Sequence, residues 1–321
     1  MELLKKLTQC NAPSGCEKGI TGIIKNEAEG YADEIYTDAM GNLIAHKKGN
    51  GKKLMFAAHC DEIGIVVTYI DENGFLRFAD VGGLYTKYLA GRRVCFENGT
   101  EGVIGTEPNN DKNALSKMFI DVGAKNADEA KKLVNIGDMA SFKGDFNVIN
   151  NRIISKALDD RCGCYVLLEA MKRVKTYNDL YFVFTTQEEV GLRGARTAAY
   201  AIAPEMAIAV DVTDTGDTPK AENMAVKLGG GAAIKVMDYS VICSGEVREC
   251  LKQLAEKNNI KYQMEIMTDG GTDAGVIHFS GKGVKTGGIS VPTRYIHSPS
   301  EMIDADDLNA CIDLLTAFAE N

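Results

Sequence analysis

The second half of the chain alternates strand-like and helix-like segments, which constrains the fold more than any other feature. From about residue 153 onward, helical segments such as "EVRECLKQLAEKNN" have apolar residues at a spacing of about 3.6 positions. The strand-like runs between such segments are "LYFVFTT", "EMAIAVDV", "AAIKVM", "YQMEIM" and "VKTGGISV". This alternation predicts an α/β fold with a mixed or largely parallel sheet.

The pattern changes between about residues 66 and 152. Asn73-Gly74 and Asn98-Gly99 are hairpin-turn dipeptides, short alternating strands dominate, and only "NADEAKKLV" has a helical pattern. We therefore predict a discontinuous α/β domain, residues 1–65 plus 153–321, with a β-rich domain of residues 66–152 inserted into it.

Composition excludes several classes of function. The net charge of −9 over 321 residues is spread without long runs of one sign, which disfavours nucleic-acid and membrane-surface partners. The chain begins without a secretory apolar core, and no stretch approaches the roughly 18 apolar residues of a membrane span. Nine cysteines, an odd number without a CxxC pair, are typical of reduced thiols, so we expect a cytoplasmic protein.

Ligand-type side chains occur where predicted strands end. His59 follows "KLMFAA", Glu188 and Glu189 follow "LYFVFTTQ", Asp211 follows "EMAIAV", and His297 lies just beyond "GISVPTRYI". In open α/β sheets, binding sites form at the carboxyl ends of the strands. The sequence therefore predicts that these side chains converge at one edge of the sheet.

Asp159 and Asp160 form a further carboxylate pair, in front of a helical segment. Imidazole nitrogens and carboxylate oxygens together suit zinc or a similar divalent transition metal. Because alternate side chains of an extended segment share a face, His59 and Asp61 point together and Cys60 points away. An acid beside a metal-bound histidine typically fixes its ring or a neighbouring group, and we assign that role to Asp61.

Each of these residues also has a purely structural interpretation. A histidine at a strand end is commonly a hydrogen-bonded structural residue, and adjacent acids at a helix start commonly cap it. Only four histidines exist, and His46 and His278 lie in a lysine-rich hairpin and in a segment expected to pack or face solvent. The joint pattern of the remaining residues favours a metal site.

Six ordered motifs carry a resemblance that extends over essentially the whole chain: "HCDEIG", "KALDDRCG", "TTQEEVGLRGA", "AVDVTDTGDTP", "GGTDAG" and "ISVPTRYIHSPSEMI". The chain resembles the M42 family of metallo-aminopeptidases, which are related to the M28 and M20 peptidases. The resemblance implies a zinc-peptidase α/β domain with an inserted β domain used in dimerisation. It also implies a homo-oligomer, in which dimers often assemble into a dodecamer.

The resemblance further implies two divalent metal ions per subunit, zinc or cobalt with manganese possible. It implies that His59 and Asp211 bind one metal, that Glu189 and His297 bind the other, and that Asp159 bridges them. Glu188 is then the catalytic base and Asp61 supports the site from behind. The Asp159-Asp160 peptide bond is expected to be cis. The expected reaction is hydrolysis of N-terminal residues from short peptides that have a free N-terminus.

One departure concerns the residues after "DVGG", where Leu84 and Tyr85 stand in place of the tryptophan that family members often carry.

Three alternatives to the aminopeptidase function stay open. The first is a glycosidase, since paired carboxylates also hydrolyse sugars and some relatives have been called endoglucanases. The second is an M20-type carboxypeptidase or deacylase, and the third is a catalytically inactive assembly protein.

Overall fold

The computed structural model describes residues 1–221 and 223–321. It is a mixed α/β structure, as predicted, with one 11-stranded sheet and one closed six-stranded barrel. The α-helices are α1 (Glu2–Gln9), α2 (Lys18–Ala28), α3 (Ala127–Leu133), α4 (Leu158–Arg173), α5 (Arg193–Ile202), α6 (Gly245–Lys257), α7 (Ala274–Ile277) and α8 (Ala305–Ala319).

The strands of the large sheet are β1 (Glu34–Thr37), β2 (Leu43–Lys47), β3 (Lys53–His59), β10 (Asn147–Ile149), β11 (Arg152–Ser155), β12 (Asp179–Thr185), β13 (Met206–Thr213), β14 (Ala232–Met237), β15 (Tyr262–Ile266), β16 (Lys285–Arg294) and β17 (Glu301–Asp304). Those of the barrel are β4 (Gly64–Ile70), β5 (Leu76–Val81), β6 (Arg93–Phe96), β7 (Glu101–Thr106), β8 (Met118–Asp121) and β9 (Met139–Phe142).

The large sheet has the strand order β1-β2-β12-β3-β13-β16-β17-β11-β10, and β14 pairs with both β15 and β16. Its centre is parallel: β12 and β13 both pair in parallel with β3, and β16 pairs in parallel with β13. The flanking pairs, such as β2 with β12 and β16 with β17, are antiparallel. Consequently β3, β12, β13 and β16 all end at the same edge.

Helices cover both faces of the large sheet. Leu54, Phe56 and Ala58 of β3 are buried in one apolar cluster with residues of α1, α4 and α8, whereas Met55 and Ala57 are buried in another with residues of α5 and α7. Because both faces are buried, the central strands are near-continuous apolar runs. This explains why "KLMFAA" and "LYFVFTT" show no polar alternation.

The barrel is formed by strands that follow one another along the chain between β3 and β10. The predicted Asn73-Gly74 and Asn98-Gly99 turns lie between its strands, with Gly74 and Gly99 at φ +88° and +85°. Such φ values are readily adopted by glycine. β10 pairs with β11 of the large sheet. The domain limits at residues 66 and 152 stay a prediction.

No helix among residues 1–221 and 223–321 is long and apolar enough to cross a membrane.

Candidate active site

All five predicted metal ligands and Glu188 line one cavity at the common edge of the parallel strands. His59 ends β3, Asp211 lies near the end of β13, and Asp159 lies in the first turn of α4. The Glu188-Glu189 pair follows β12, and His297 follows β16. The convergence of these side chains follows from the parallel pairing of the strands that carry them.

Asp159 lies at the centre of this arrangement. Its Oδ1 is 2.9 Å from Nε2 of His59, and its Oδ2 is 3.5 Å from Nε2 of His297. Each histidine also faces a second carboxylate: Asp211 Oδ1 is 3.9 Å from His59 Nε2, and Glu189 Oε2 is 3.2 Å from His297 Nε2. Two histidine–carboxylate pairs therefore share one aspartate between them.

Asp160, the second member of the carboxylate pair, joins the cluster, although the ligand set implied by the resemblance did not include it. His59, Asp160 and Asp211 offer atoms within 4.8 Å of one another, and so do His59, Asp159 and Glu189. Oδ2 of Asp160 and Oε1 of Glu189 are buried and have no hydrogen-bond partner among the described residues. Buried carboxylate oxygens that accept no hydrogen bond, together with neighbouring imidazole nitrogens, form a ligand set that fits divalent metal ions.

Burial raises the pKa values of Asp160, Glu188 and Asp211 well above the usual carboxyl range, and repulsion between these neighbouring carboxylates adds to the effect. Burial alone would lower the pKa of His297, but the carboxylates of Glu189 and Asp159 overcome it and raise that pKa to about 12. The cluster therefore contains more carboxyl groups than its two imidazoles can balance as ions, and cations bound there would favour the ionised carboxylates.

Asp61 anchors the two glutamates through their backbone. Its Oδ1 accepts a hydrogen bond from the Glu188 N–H at 3.0 Å, and its Oδ2 accepts from the Glu189 N–H at 3.2 Å and from Ser14 Oγ at 2.6 Å. Asp61 Oδ1 is also 3.5 Å from His59 Nδ1. One buried carboxylate thus fixes the loop after β12 relative to the end of β3.

Glu301 has a corresponding role that the sequence did not indicate. Its Oε2 accepts a hydrogen bond from the Asp159 N–H at 2.9 Å, and its Oε1 accepts from the His297 N–H at 3.0 Å. The side chain is buried at the start of β17. The only sequence signal was its place at the end of the "IHSPSE" segment, because a contact with a backbone N–H leaves no residue pattern.

Several non-glycine residues around the site have left-handed backbone conformations. Ala157, Gln187, Leu192, Tyr295 and His297 have φ values of 52°, 56°, 57°, 62° and 61°. Each lies within three residues of a predicted ligand or is one. Such conformations are uncommon for residues with a Cβ and cluster at functional sites. The Asp159-Asp160 peptide bond is cis, as the resemblance implied.

The barrel packs directly on the site through Gly82 and Gly83. A Cβ on Gly83 would lie 3.1 Å from the His297 ring, and one on Gly82 would lie 3.2 Å from Cβ of Glu189. Two consecutive residues without side chains therefore let this segment approach two of the predicted ligands. Tyr85 follows, its ring centroid 6.3 Å from that of His297.

Residues set aside in the sequence analysis have other contacts. His46 stacks on Tyr181 and lies 2.7 Å from Asp179, and His278 Nδ1 contacts the Ala274 carbonyl oxygen at 3.0 Å. Arg161, which follows the Asp pair, has structural contacts: its Nη1 donates hydrogen bonds to the carbonyl oxygens of Leu7 and Cys10, and its Nη2 lies 3.5 Å from Glu62.

Two further charged residues, Asp273 and Arg294, lie within two residues of the pocket-lining Thr272 and Ile296. Asp273 accepts a hydrogen bond from Thr185 at 2.5 Å, which ties the loop before α7 to the end of β12. Arg294 pairs with Asp217 at 2.7 Å. Neither residue contacts a predicted metal ligand in the hydrogen bonds or ion pairs of the described residues.

Comparison with known proteins identifies the family of this chain. The family model for M42 glutamyl aminopeptidase matches residues 41–314. A predicted aminopeptidase of Acetivibrio thermocellus is 54% identical over 318 residues, which cover 98% of this chain and 96% of the relative. Similar solved structures include an aminopeptidase of the archaeon Desulfurococcus kamchatkensis, 40% identical with a TM-score of 0.95, covering 99% of this chain and 94% of that one.

A second similar structure is the TET1 peptidase of Pyrococcus horikoshii, which can assemble into a tetrahedron or a large octahedral shell. It is 37% identical with a TM-score of 0.91, and the match covers 100% of this chain and 99% of that one. The matches in sequence and in structure thus both extend over nearly the full length of the chain. The chain belongs to the M42 glutamyl aminopeptidase family, a family of peptide hydrolases.

Proposed function

We propose that this protein is a di-metal aminopeptidase that removes N-terminal residues from short peptides with a free N-terminus. The observation that carries the proposal is the position of Asp159 between His59 and His297, with one carboxylate oxygen toward each histidine. A shared carboxylate between two histidine–carboxylate pairs is suited to two adjacent cations.

His59 and Asp211 would hold one metal, Glu189 and His297 the other, and Asp159 both. Zinc or cobalt suits this set of nitrogen and oxygen donors, and manganese is a third candidate. Asp160, whose Oδ2 lacks a partner among the described residues, is a further donor on the His59 side. When bound, such metals polarise a carbonyl oxygen and lower the pKa of water toward about 7.

Glu188 would serve as the general base. Unlike Glu189, it forms no ion pair with either histidine of the site among the described residues, so its carboxylate stays available for proton transfer. Burial is the largest effect on the pKa of Glu188 and raises it. In the proposed reaction Glu188 takes a proton from the attacking water. Glu188 then donates a proton to the departing amine nitrogen. Asp61 positions Glu188 through the backbone N–H.

The barrel, which forms its own apolar core, is our proposal for an inserted domain. We also propose a homo-oligomer of dimers that assemble into a dodecamer, supported by the tetrahedral and octahedral assemblies of the 37% identical Pyrococcus horikoshii peptidase. The cytoplasmic location and the zinc-peptidase classification of the large domain stay proposals from the sequence.

The test uses aminoacyl p-nitroanilides and their N-acetylated counterparts, assayed before and after dialysis against a chelator. An aminopeptidase hydrolyses the free-amine substrates, rejects the acetylated ones, loses activity with the chelator and regains it with zinc, cobalt or manganese. Hydrolysis of the acetylated substrates would instead indicate an M20-type deacylase. Sugar hydrolysis that persists in chelator would indicate a glycosidase, and no hydrolysis by metal-loaded protein would indicate an inactive assembly protein.

A further inference from the structure

A second cavity adjoins the candidate active site, between the barrel and the large sheet. Its volume is about 700 Å³, within the range of roughly 300–1,000 Å³ typical of ligand-binding clefts. Three tyrosines line it, Tyr85 and Tyr88 after the barrel strand β5 and Tyr295 after β16, and each is more than half exposed. Exposed aromatic rings that surround one cleft favour binding of a partly apolar ligand.

The second cavity shares part of its wall with the active-site cavity. Tyr85, Asp214 and Ile296 line both of them. The Tyr85 ring, 6.3 Å from the His297 ring, stands at the junction. A substrate whose scissile bond lies beside His297 can therefore extend into the second cavity along the protein surface.

The two cavities differ in charge. The active-site cavity contains the carboxylates of the metal cluster, Asp238 and Asp269, and its lysine, Lys235, pairs with Glu265 and Asp238. Beside Asp214, which lines both cavities, the second cavity contains the cations of Lys87 and Arg92, which form no ion pair with a carboxylate of residues 1–221 or 223–321. Their contacts are with Tyr88: Arg92 Nε donates to its carbonyl oxygen at 3.0 Å, and Lys87 Nζ lies 4.6 Å from its ring centroid.

This polarity matches that of a peptide, which has an ammonium group at one end and a carboxylate at the other. We propose that the second cavity binds the C-terminal part of the peptide substrate and that Lys87 and Arg92 bind its free α-carboxylate. This inference rests on the proposed aminopeptidase function and predicts that short peptides with an unblocked C-terminus are its preferred substrates. Tyr85, Tyr88 and Tyr295 would pack against the residues between the scissile bond and that carboxylate.

The geometry also limits the length of the preferred peptide. Lys87 is two residues from Tyr85, so their Cα atoms are at most about 7 Å apart, because an extended chain spans at most about 3.6 Å per residue. An extended substrate advances about 3.4 Å per residue. A carboxylate a few residues beyond the scissile bond is therefore within reach of the cations, and tripeptides through pentapeptides sample that range.

The experiment compares tripeptides to pentapeptides as free acids and as C-terminal amides, in the wild-type protein and in the Lys87→Gln/Arg92→Gln double variant. Lys131→Gln, which removes an exposed lysine from α3, is the matched control. For the wild type and the control, we expect kcat/KM to be about five- to tenfold higher for the acid than for the amide at one peptide length. The difference should lie mainly in KM and shrink with added salt. In the double variant the ratio should fall to about 1.

Equal rates for acids and amides in the wild type would overturn the proposal, as would an acid preference that survives in the double variant. If the wild type hydrolyses no peptide, the aminopeptidase proposal fails. Calorimetric titration of the acid and amide peptides then still tests the cavity, because tighter binding of the acid must depend on Lys87 and Arg92.

Discussion

The barrel and the edge of the large sheet bury opposite kinds of side chain. The buried cluster of the barrel is wholly apolar, with Val94, Phe96, Ile104 and Ile120 among its members. The sheet edge gathers seven carboxylates around two imidazoles: Asp61, Asp159, Asp160, Glu188, Glu189, Asp211 and Glu301. Oδ2 of Asp160 and Oε1 of Glu189 accept no hydrogen bond among the described residues. Apolar burial stabilises a fold, whereas buried like charges oppose it unless cations are bound. The comparison indicates that the barrel stabilises the structure while the sheet edge is built for chemistry.

The largest effect should come from the two adjacent glutamates. Glu188→Gln is expected to keep its metal and lower kcat about 10²- to 10⁴-fold, because it removes the proton acceptor and preserves shape. Glu189→Gln, the matched variant, should lose metal as well as activity. The test is to measure the metal content and the kinetics of both variants. Near-normal turnover of Glu188→Gln would contradict the assignment of Glu188 as the general base.

A stability measurement on chelator-treated protein tests the contrast between the two regions directly. Phe96→Ala leaves a cavity in the barrel core and should lower the free energy of unfolding by about 3–5 kcal/mol. Asp211→Asn should instead raise it, because it removes the cost of ionising a carboxyl that is buried among other carboxylates. The amide oxygen can still accept the hydrogen bond from Val212. If denaturant unfolding shows that both variants are equally destabilised, the contrast between the barrel core and the sheet edge is contradicted.

A smaller effect concerns Asp307, a buried carboxylate on α8 that accepts hydrogen bonds from the Gly229 and Gly231 N–H groups. Burial raises its pKa to about 6, although those two hydrogen bonds lower it. A carboxyl whose pKa is higher in the folded state stabilises the fold at low pH, and that contribution is lost as the pH rises from about 4 through about 6.

Between pH 4 and pH 7, the unfolding free energy of Asp307→Asn should therefore decline by about 2 kcal/mol less than that of the wild type. The comparison of the wild type with Asp307→Asn by denaturant unfolding at several pH values cancels the contribution of the other groups. Identical pH slopes in the two proteins would contradict the effect, and would show that burial of a carboxylate is unfavourable only within the cluster at the sheet edge.

Local patterns predicted much of the fold. The apolar runs from "LYFVFTT" to "VKTGGISV" are strands, "EVRECLKQLAEKNN" contains α6, and the two Asn-Gly dipeptides lie at turns. Alternation and turn residues act within a few positions of the chain, so they can be detected in the sequence. Closure of the barrel through β4 and β9 was not predicted, because it depends on pairing between strands about 70 residues apart.

The candidate site divides in the same way. The position of His59, Glu188, Asp211 and similar residues at strand ends was visible in the sequence. The role of Glu301 was not visible in the sequence, because it depends on which backbone N–H groups lie near its side chain. The role of Asp160 depends likewise on which ligand atoms lie near it in the folded protein.

The sequence by itself therefore determined the element types, the set of potential ligands and the edge at which they gather. Tertiary structure alone decided that Asp159 lies between two histidines, that Gly82 and Gly83 bring the barrel onto them, and that Lys87 and Arg92 stand beside the cleft. The physical reason is the distance along the chain over which each effect acts. Periodicity and turn preference act between neighbours in the chain, whereas electrostatic and packing contacts act between neighbours in space.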